Sequence, residues 1–448
     1  MALIDLIVDV AIAASSAAPS LPSTDTIALL GYHTHYTDLI RTYFQPSDMI
    51  ADGFTVNDPL YLMAAAIAAQ TPHVNKFKVI RGTTSVQQTM TFQVTDTQTG
   101  HVVGFILTDA SGVTHAVQHT NTVGQTAVQI ATALAGVSVS GATLANGGGT
   151  LDTVTVTITA SGAIWYPSSI TGGNWTDTTV SASPATDLTN AALVDPDFYG
   201  VSGEWMSAAN ISAIAGWCES NNRLHAYTTP DTNNLTLGSG IFNTAKVAGY
   251  NRTYGQFGGT PIQYGATALM GNRFTNPAGS DTWAFVSLAS VNTDALTPSQ
   301  IEAATSLEGA VSNNGNVYVP VANVGATLTG LAASGLFIDI QRGIDALTND
   351  IKLRLFTMMT NLSQQGKRIP YTRRGASMVK GQVNASLQAF VNSGFLSNDS
   401  GFEPEVTVPD PNLAAPADKS KRIYRGVTFT CTAQGAMQTV VVRGTVSF

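Results

Sequence analysis

Charge is scarce in this chain. Asp, Glu, Lys and Arg together make up only 11% of its 448 residues, while Gly, Ala, Ser, Thr and Asn are abundant. That mixture suits neutral, β-rich surfaces packed against other protein more than the heavily solvated surface of an enzyme. Cysteine is nearly absent. Cys218 and Cys431 make neither a disulfide framework nor a zinc site, and they fit a protein assembled in a reducing cytoplasm. Long apolar runs are missing as well. None reaches the roughly 18 residues of a membrane helix, so no membrane insertion is expected. The start, MALIDLIVDVAIAASSAAP, has the look of a signal peptide, but it has no basic n-region and Asp5 and Asp9 interrupt its apolar run.

Catalytic motifs are equally thin. There is no P-loop, no Gly-x-Ser-x-Gly elbow and no His-Glu-x-x-His. The stretch GQFGGTPIQYG is rich in glycine but lacks dinucleotide spacing. His33 and His35 would share one face of a strand, as metal ligands can, yet zinc needs three or four ligands and the neighbouring sequence does not supply the rest. His115 and His119 read as surface residues of a β-rich stretch. In DPDFYG (195–200) Pro196 separates two carboxylates, which favours a turn. Cys218 lies among apolar helix positions and reads as packed. No enzyme activity, cofactor or metal is expected.

What the chain does have is length and texture. At 448 residues it exceeds one ordinary core, and two to four domains are expected. Residues 1–25 read as a strand followed by an extended Ala/Ser/Pro arm. Ile4, Leu6, Val8, Val10 and Ile12 are apolar at every second position, the pattern of a strand with one apolar face. TIALLGYH (26–33) reads as a buried strand. The segment 47–72 reads as turn and helix, with Asp58 as cap and Pro59 at the first helical position. KFKVIRG (76–82) is another strand, so the opening is an α/β unit.

Near residue 88 the texture changes to alternating Thr/Val strands with Gly turns, interrupted by one helix at 126–136. Residues 89–188 therefore read as an inserted β-rich domain, since exposed loops tolerate insertion. The α/β texture resumes with helices expected at 207–222, 264–274 and 297–315, and strands in LHAYTTPD, TWAFVSL (282–288) and NVYVPVAN. A long helix is expected from about Leu336 to Gln365, with Ile344, Leu347, Ile351, Leu355, Met358 and Leu362 on one stripe. A second is expected from about Ala376 to Asn392. The fold class is thus multidomain α/β (α+β): an arm over 1–25, a discontinuous core over 26–88 and 189–335, the insert over 89–188, and a C-terminal α/β domain over 336–448.

The sparse charge is unevenly spread. Residues 1–339 hold 8 Lys and Arg against 22 Asp and Glu, a net −14, whereas residues 340–448 hold 13 against 7, a net +6. Lys352, Arg354, Lys367, Arg368, Arg373, Arg374 and Lys380 fall within 29 positions that contain no Asp or Glu. Such a cluster is either a solvated face or a surface that docks an acidic partner. Only Phe356 and Tyr371 accompany it, and no nucleic-acid module surrounds it, so direct nucleic-acid binding is not expected. The segment AMQTVVVRGTVSF reads as a strand with Val440, Val442, Thr445 and Phe448 in it, and no return strand follows. Apolar strands at both ends can close on their own sheet or be lent to a neighbour. The thirteen residues 13–25 would span up to about 43 Å if extended, enough to reach an adjacent subunit.

With these segments in view, the chain resembles the contractile tail sheath proteins of bacteriophages. DPLYLMAAAIAAQTPHVNKFKVIRG, DFYGVSGEWMSAANISAIAGWCESNNRLHAYTT, SDTWAFVSLASVNTDALTPSQIEAA and NNGNVYVPV carry the likeness in order. The most similar segment runs from FIDIQRGIDALTNDIKLRLFTMM through GKRIPYTRRGASMVKGQVNASLQAFVNSGFL. The resemblance covers most of the chain outside 89–188.

It implies a structural subunit that polymerises with itself as stacked hexameric rings around a tail tube, with baseplate and tail terminator proteins at the ends. Contraction then drives the tube through the host envelope. It implies assembly in the bacterial cytoplasm and residence in the virion tail. The C-terminal domain, with its basic cluster, would face the tube, and terminal strands over 1–25 and 437–448 would complete a sheet in neighbouring subunits. Sheaths of tailocins and secretion systems look alike at this level. The runner-up is an extracellular adhesin or carbohydrate-binding protein in which Trp165, Tyr166 and Trp175 form a sugar-stacking patch; a hydrolase comes third.

Overall fold

A computed structural model describes residues 23–307 and 310–438. Both expected terminal strands, Ile4 to Ile12 and Val440 to Phe448, lie outside the described residues. The described chain divides into two compact units, one holding 23–275 and 283–338, the other 276–282 and 339–437.

The larger unit begins with β1 (Ile27–Tyr32), β2 (Ile40–Tyr43) and β3 (Phe77–Gly82). It continues through seven antiparallel strands: β4 (Thr89–Val94), β5 (Val102–Thr108), β6 (Thr114–Thr120), β7 (Ala142–Ala145), β8 (Thr153–Ile158), β9 (Tyr166–Thr171) and β10 (Gly173–Asp177). It then returns to β11 (Gly200–Gly203), β12 (Leu224–Thr229) and β13 (Thr253–Phe257). The six strands outside this excursion form one sheet in the order β13-β12-β11-β1-β3-β2, parallel except for β2. β12 is buried at every position and β1 at all but its last, because helices cover both faces. Helices Pro59–Ala68 and Gly265–Arg273 pack together over β1 and β12, and Pro184–Val194, Ala208–Ser220 and Gly240–Val247 make a second layer. Gly271 permits the first pair to close up, since a Cβ there would meet Ile67 at 2.9 Å.

The β-rich excursion makes two sheets, β10-β4-β8-β7 and β6-β5-β9, around a core of its own. Thr/Val alternation sets the faces: in β8, TVTVTI, each Val and the Ile is buried. Helix Ala127–Ala135 opens on a Thr126/Gln129 capping box. At the centre Phe105 lies 5.2 Å from Phe92 and 4.8 Å from Trp175 between ring centroids. This corrects the sugar-patch expectation. Trp175 and Tyr166 are buried to 0% and 1% and Trp165 to 5%, so their area is spent on packing and no ring face is offered to a ligand. Residues 82–222 contain no Lys or Arg. A further tie binds β10 to the core: Trp175 N–H donates to Thr232 Oγ1 (2.8 Å), Thr176 Oγ1 to Asp231 (3.1 Å) and Asn233 Nδ2 to Thr176 Oγ1 (2.7 Å).

Several other expectations need correction. Within 47–72 the helix from Pro59 runs as expected to Ala68, but the segment before it, expected as a turn, holds a short helix, Pro46–Ala51. The segment 282–288 is not a strand: Phe285 has φ 59°, which breaks the pleat, and its N–H and that of Val286 bond to Thr327 instead. The helix expected over 297–315 stops at Ala304. Beyond it, buried asparagines replace helical bonding. Asn313 donates to the carbonyls of Asn234 and Thr236, and Asn316 binds the backbone of Gly255, Gly330 and Leu331. Strands β2 and β13 were not expected. Helix Pro184–Val194 spans the 188/189 boundary drawn from sequence and packs Leu188 and Ala191 into the core of the main sheet.

The smaller unit is built on helices Ile338–Gln364 and Arg373–Asn392 with a two-stranded sheet, β16 (Glu405–Thr407) and β17 (Thr428–Thr430); β14 (Tyr318–Val321) and β15 (Val324–Thr327) form a hairpin in the larger unit. Its core joins Leu347, Val383, Leu387, Phe395, Leu396 and Val406. Phe395 presses so close to the long helix that a Cβ on Gly343 would sit 2.4 Å from its ring. The distal half of the long helix is less covered, with Leu355, Met358 and Leu362 only half-buried; nearer its start, Ile344 of the same stripe is 44% exposed.

Candidate docking surface

The seven predicted cations all lie on the two long helices and their connection, but they do not form one compact cluster. Lys352 and Arg354 sit on the first helix, about 18 and about 15 Å before its end at Gln364 at 1.5 Å per residue. Lys367, Arg368, Arg373 and Arg374 surround the connection, and Lys380 lies two turns along the second helix. The second helix starts at Arg373, three residues earlier than expected, which places two cations in its first turn. Cations there oppose the helix dipole. Arg373 is compensated by Asp410, whose carboxylate accepts from Nη2 (2.6 Å) and Nε (3.0 Å). The pairing lowers the Asp410 pKa and raises that of Arg373. Arg354 is likewise tied to Asp350 at 2.6 Å. Asp350 falls just before the window that looked free of acid, and Asp410 lies well beyond it in the chain. Arg368, Arg374 and Lys380 are exposed, and Lys367 reaches Gln365 Oε1 at 3.3 Å.

The structure adds cations that the linear window missed. Tyr371 donates its hydroxyl to the Ile423 carbonyl (2.9 Å) and meets Tyr424 edge to face at 6.0 Å. With the Arg373–Asp410 pair, these contacts fold the loop 408–425 against the connection. That loop carries exposed Lys419, Lys421, Arg422 and Arg425, of which Arg425 pairs with Asp418 at 3.3 Å. A 52-residue separation hid this neighbourhood from any reading by spacing. Along the helix pair, Leu353, Met358, Leu362 and Met378 line a groove of about 780 Å³.

The other candidates resolve as structural. His33 is 6% exposed, its ring nitrogens have no partner among the described residues, and it packs on Tyr36, Phe54 and His35. Burial first, then the His35 charge, lowers its pKa to about 3. His35 approaches Asp58 at 3.3 Å. Among the described residues no three His, Cys, Asp or Glu side chains are grouped to hold a metal. Asp195 and Asp197 anchor Lys78 and Lys76. His115 stacks on Trp165 and bonds Asp109 (3.0 Å). Burial pushes the Cys218 thiol well above its usual range.

One buried acid was not anticipated. Glu204, just past β11, is 1% exposed and accepts Tyr32 N–H at 2.8 Å. Burial raises its pKa to about 8. It fits because residue 31 is glycine: a Cβ there would lie 2.5 Å from Glu204 Oε2.

No protein-family model and no curated protein matches the chain. Solved structures do. The helical sheath of the anti-feeding prophage in its contracted state superposes with a TM-score of 0.56 at 11% identity, over 97% of this chain and 98% of that one. A chain in the contracted baseplate of the same particle gives 0.52 at 11% identity, over 97% and 96%. A sheath tail protein of Listeria innocua gives 0.48 at 12% identity, over 92% and 96%. No described helix is long and apolar enough to cross a membrane. From the first two superpositions, the chain has the multidomain α/β fold of contractile sheath proteins.

Proposed function

We propose that this chain is the structural subunit of a contractile sheath, in a phage tail or a related injection particle. It polymerises as stacked hexameric rings around an inner tube, meets baseplate and terminator proteins at the ends, and acts mechanically rather than as an enzyme. The observation that carries this reading is the superposition on a helical sheath subunit along 97% of the chain. The particle is assembled in the bacterial cytoplasm. In the extended state rings are held kinetically; on release, many small gains in buried surface between subunits sum to drive the tube forward.

The smaller unit faces the tube, and its basic surface holds an acidic tube by adaptable attraction that can break without separating a tight apolar interface. The terminal arms, 1–25 and 437–448, add strands to neighbouring subunits. In support, β16 pairs only with β17 along its length among the described residues, and a two-stranded sheet is marginal alone. The insert over 89–188 is an outward decoration on the discontinuous core.

Negative-stain electron microscopy of the purified chain at rising concentration tests the proposal. Hollow, striated tubes of uniform width are expected; discrete monomers at every concentration count against it. For the docking face, Lys367, Arg368, Arg374 and Lys380 changed to Glu should leave the fold intact and strip the tube from the sheath. Normal tube occupancy in such particles would remove the basic face from the account.

A further inference from the structure

The loop 408–425 and the helix connection enclose a cleft of about 120 Å³, walled by Ile369, Pro370, Tyr371, Val379, Pro411 and Tyr424. At about 30 Å³ per water this is the room of four waters, or one apolar side chain. Its walls are rigid. Tyr371 is tied to the Ile423 carbonyl (2.9 Å) and Tyr424 to the Pro409 carbonyl (2.5 Å), with the rings edge to face. The Arg373–Asp410 pair pins the two sides together. Arg422 lines the mouth, and Arg374, Lys419 and Lys421 flank it in the chain. The nearby carboxylates Asp410 and Asp418 are already engaged by Arg373 and Arg425. An apolar, preformed notch inside a rim of cations is the pattern of an anchor pocket with an electrostatic surround.

We infer that this cleft receives a single bulky apolar side chain, aromatic or branched, presented by an acidic segment of a partner protein. The inference rests on the proposed docking role of the basic face and adds a specific anchor to it. The charge of the rim selects the flanking carboxylates, and the size and apolar walls of the notch select the anchor. Single-stranded nucleic acid also favours cations with tyrosines, but stacking needs exposed ring faces. Here the two rings face each other edge to face and their hydroxyls are bonded to backbone.

The test titrates the full chain with short capped peptides, followed by tyrosine-resolved NMR or calorimetry. Asp-Glu-Phe-Asp-Glu should bind at least tenfold more tightly than Asp-Glu-Ala-Asp-Glu, since burying one large apolar side chain is worth more than the free energy of a factor of ten. Lys-Lys-Phe-Lys-Lys should not bind. Val379→Trp, which fills the notch, should erase the preference for Phe and leave the weak binding of the Ala peptide. If that variant melts early, Tyr424→Ala serves the same purpose by removing a wall.

Equal affinity for the Phe and Ala peptides, lost on charge reversal of Lys367, Arg368 and Arg374, overturns the pocket and leaves the docking face standing. No binding of either acidic peptide overturns both. Tighter binding of a twelve-nucleotide oligo-dT than of the Phe peptide overturns the inference in favour of nucleic acid.

Discussion

Replacing Glu204 by Gln should stabilise the protein, and the gain should grow with pH. The carboxyl is fully enclosed, and its pKa rises from the ordinary 4.5 to about 8. In the folded state at pH 7 it therefore keeps a proton that the unfolded chain has released. A raised acid pKa contributes stability in full below about 4.5, loses it as pH rises, and has lost all of it above about 8. The slope is about 1.4 kcal/mol per pH unit. By pH 7 the loss amounts to about 3 kcal/mol, by pH 8 to about 4 kcal/mol, and it levels off near about 5 kcal/mol.

Gln has the shape of the protonated acid and needs no proton. Its Oε1 can still accept from Tyr32 N–H, while its amide must find room beside Gly31, a cost of about 1 kcal/mol. Net stabilisation of about 2 kcal/mol is expected at pH 7, rising to about 4 kcal/mol at pH 8.5 and vanishing or reversing near pH 5. Urea unfolding followed by tryptophan fluorescence between pH 5 and 9 measures it. Asp294, which burial raises to about 7, is present in both proteins and cancels in the difference. A difference that stays constant across this range would show that Glu204 is ionised in the folded protein, and the reasoning from burial would fail.

Two other substitutions probe different forces. His225 is fully buried in β12, neither ring nitrogen has a partner among the described residues, and burial lowers its pKa to about 3. Its contribution is present above about 6.5 and is lost as pH falls, about 2 kcal/mol by pH 5. His225→Phe should move the acid unfolding midpoint to lower pH, and an unchanged midpoint would contradict the account. Gly343→Ala should destabilise the smaller unit by about 1–3 kcal/mol despite the helix propensity of Ala, because the new methyl meets Phe395. Adding Phe395→Leu should recover part of the loss in a thermal melt.

Legibility followed the reach of the signals. β1 and β8 could be read from local pattern alone, one a continuous apolar run and the other a strict alternation. The helix start was also readable where its signals are neighbours: Asp58 and Pro59 stand at the cap and first position of Pro59–Ala68. The end of helix Pro298–Ala304 was not, because it is set by Asn313 bonding to residues more than seventy positions away. β13 was not expected: Gly255 interrupts it and a glycine-rich stretch follows; a Cβ at Gly255 would strike the Tyr227 hydroxyl at 2.5 Å, a contact invisible in one dimension. The aromatic residues of the insert show the same limit. Composition gave Trp165, Tyr166 and Trp175 as candidates, and only packing revealed that they face inward. The basic surface was legible as a run of residues, but its carboxylate partners and its second set of cations come from outside the run.

The bonds that join β10 to the turn at 231–233 have a practical consequence. With its two chain connections alone, the insert would be a pendant free to swivel. These bonds, together with Asn57–Ser111 (2.9 Å) and Tyr166–Tyr264 (2.8 Å), make it a pointer fixed to the main sheet. Val123, in the turn that follows β6 of the insert, is 86% exposed. A rigid label placed there would turn with the core, so that its orientation, read in a single particle or by polarised emission, would report the rotation of the subunit body itself.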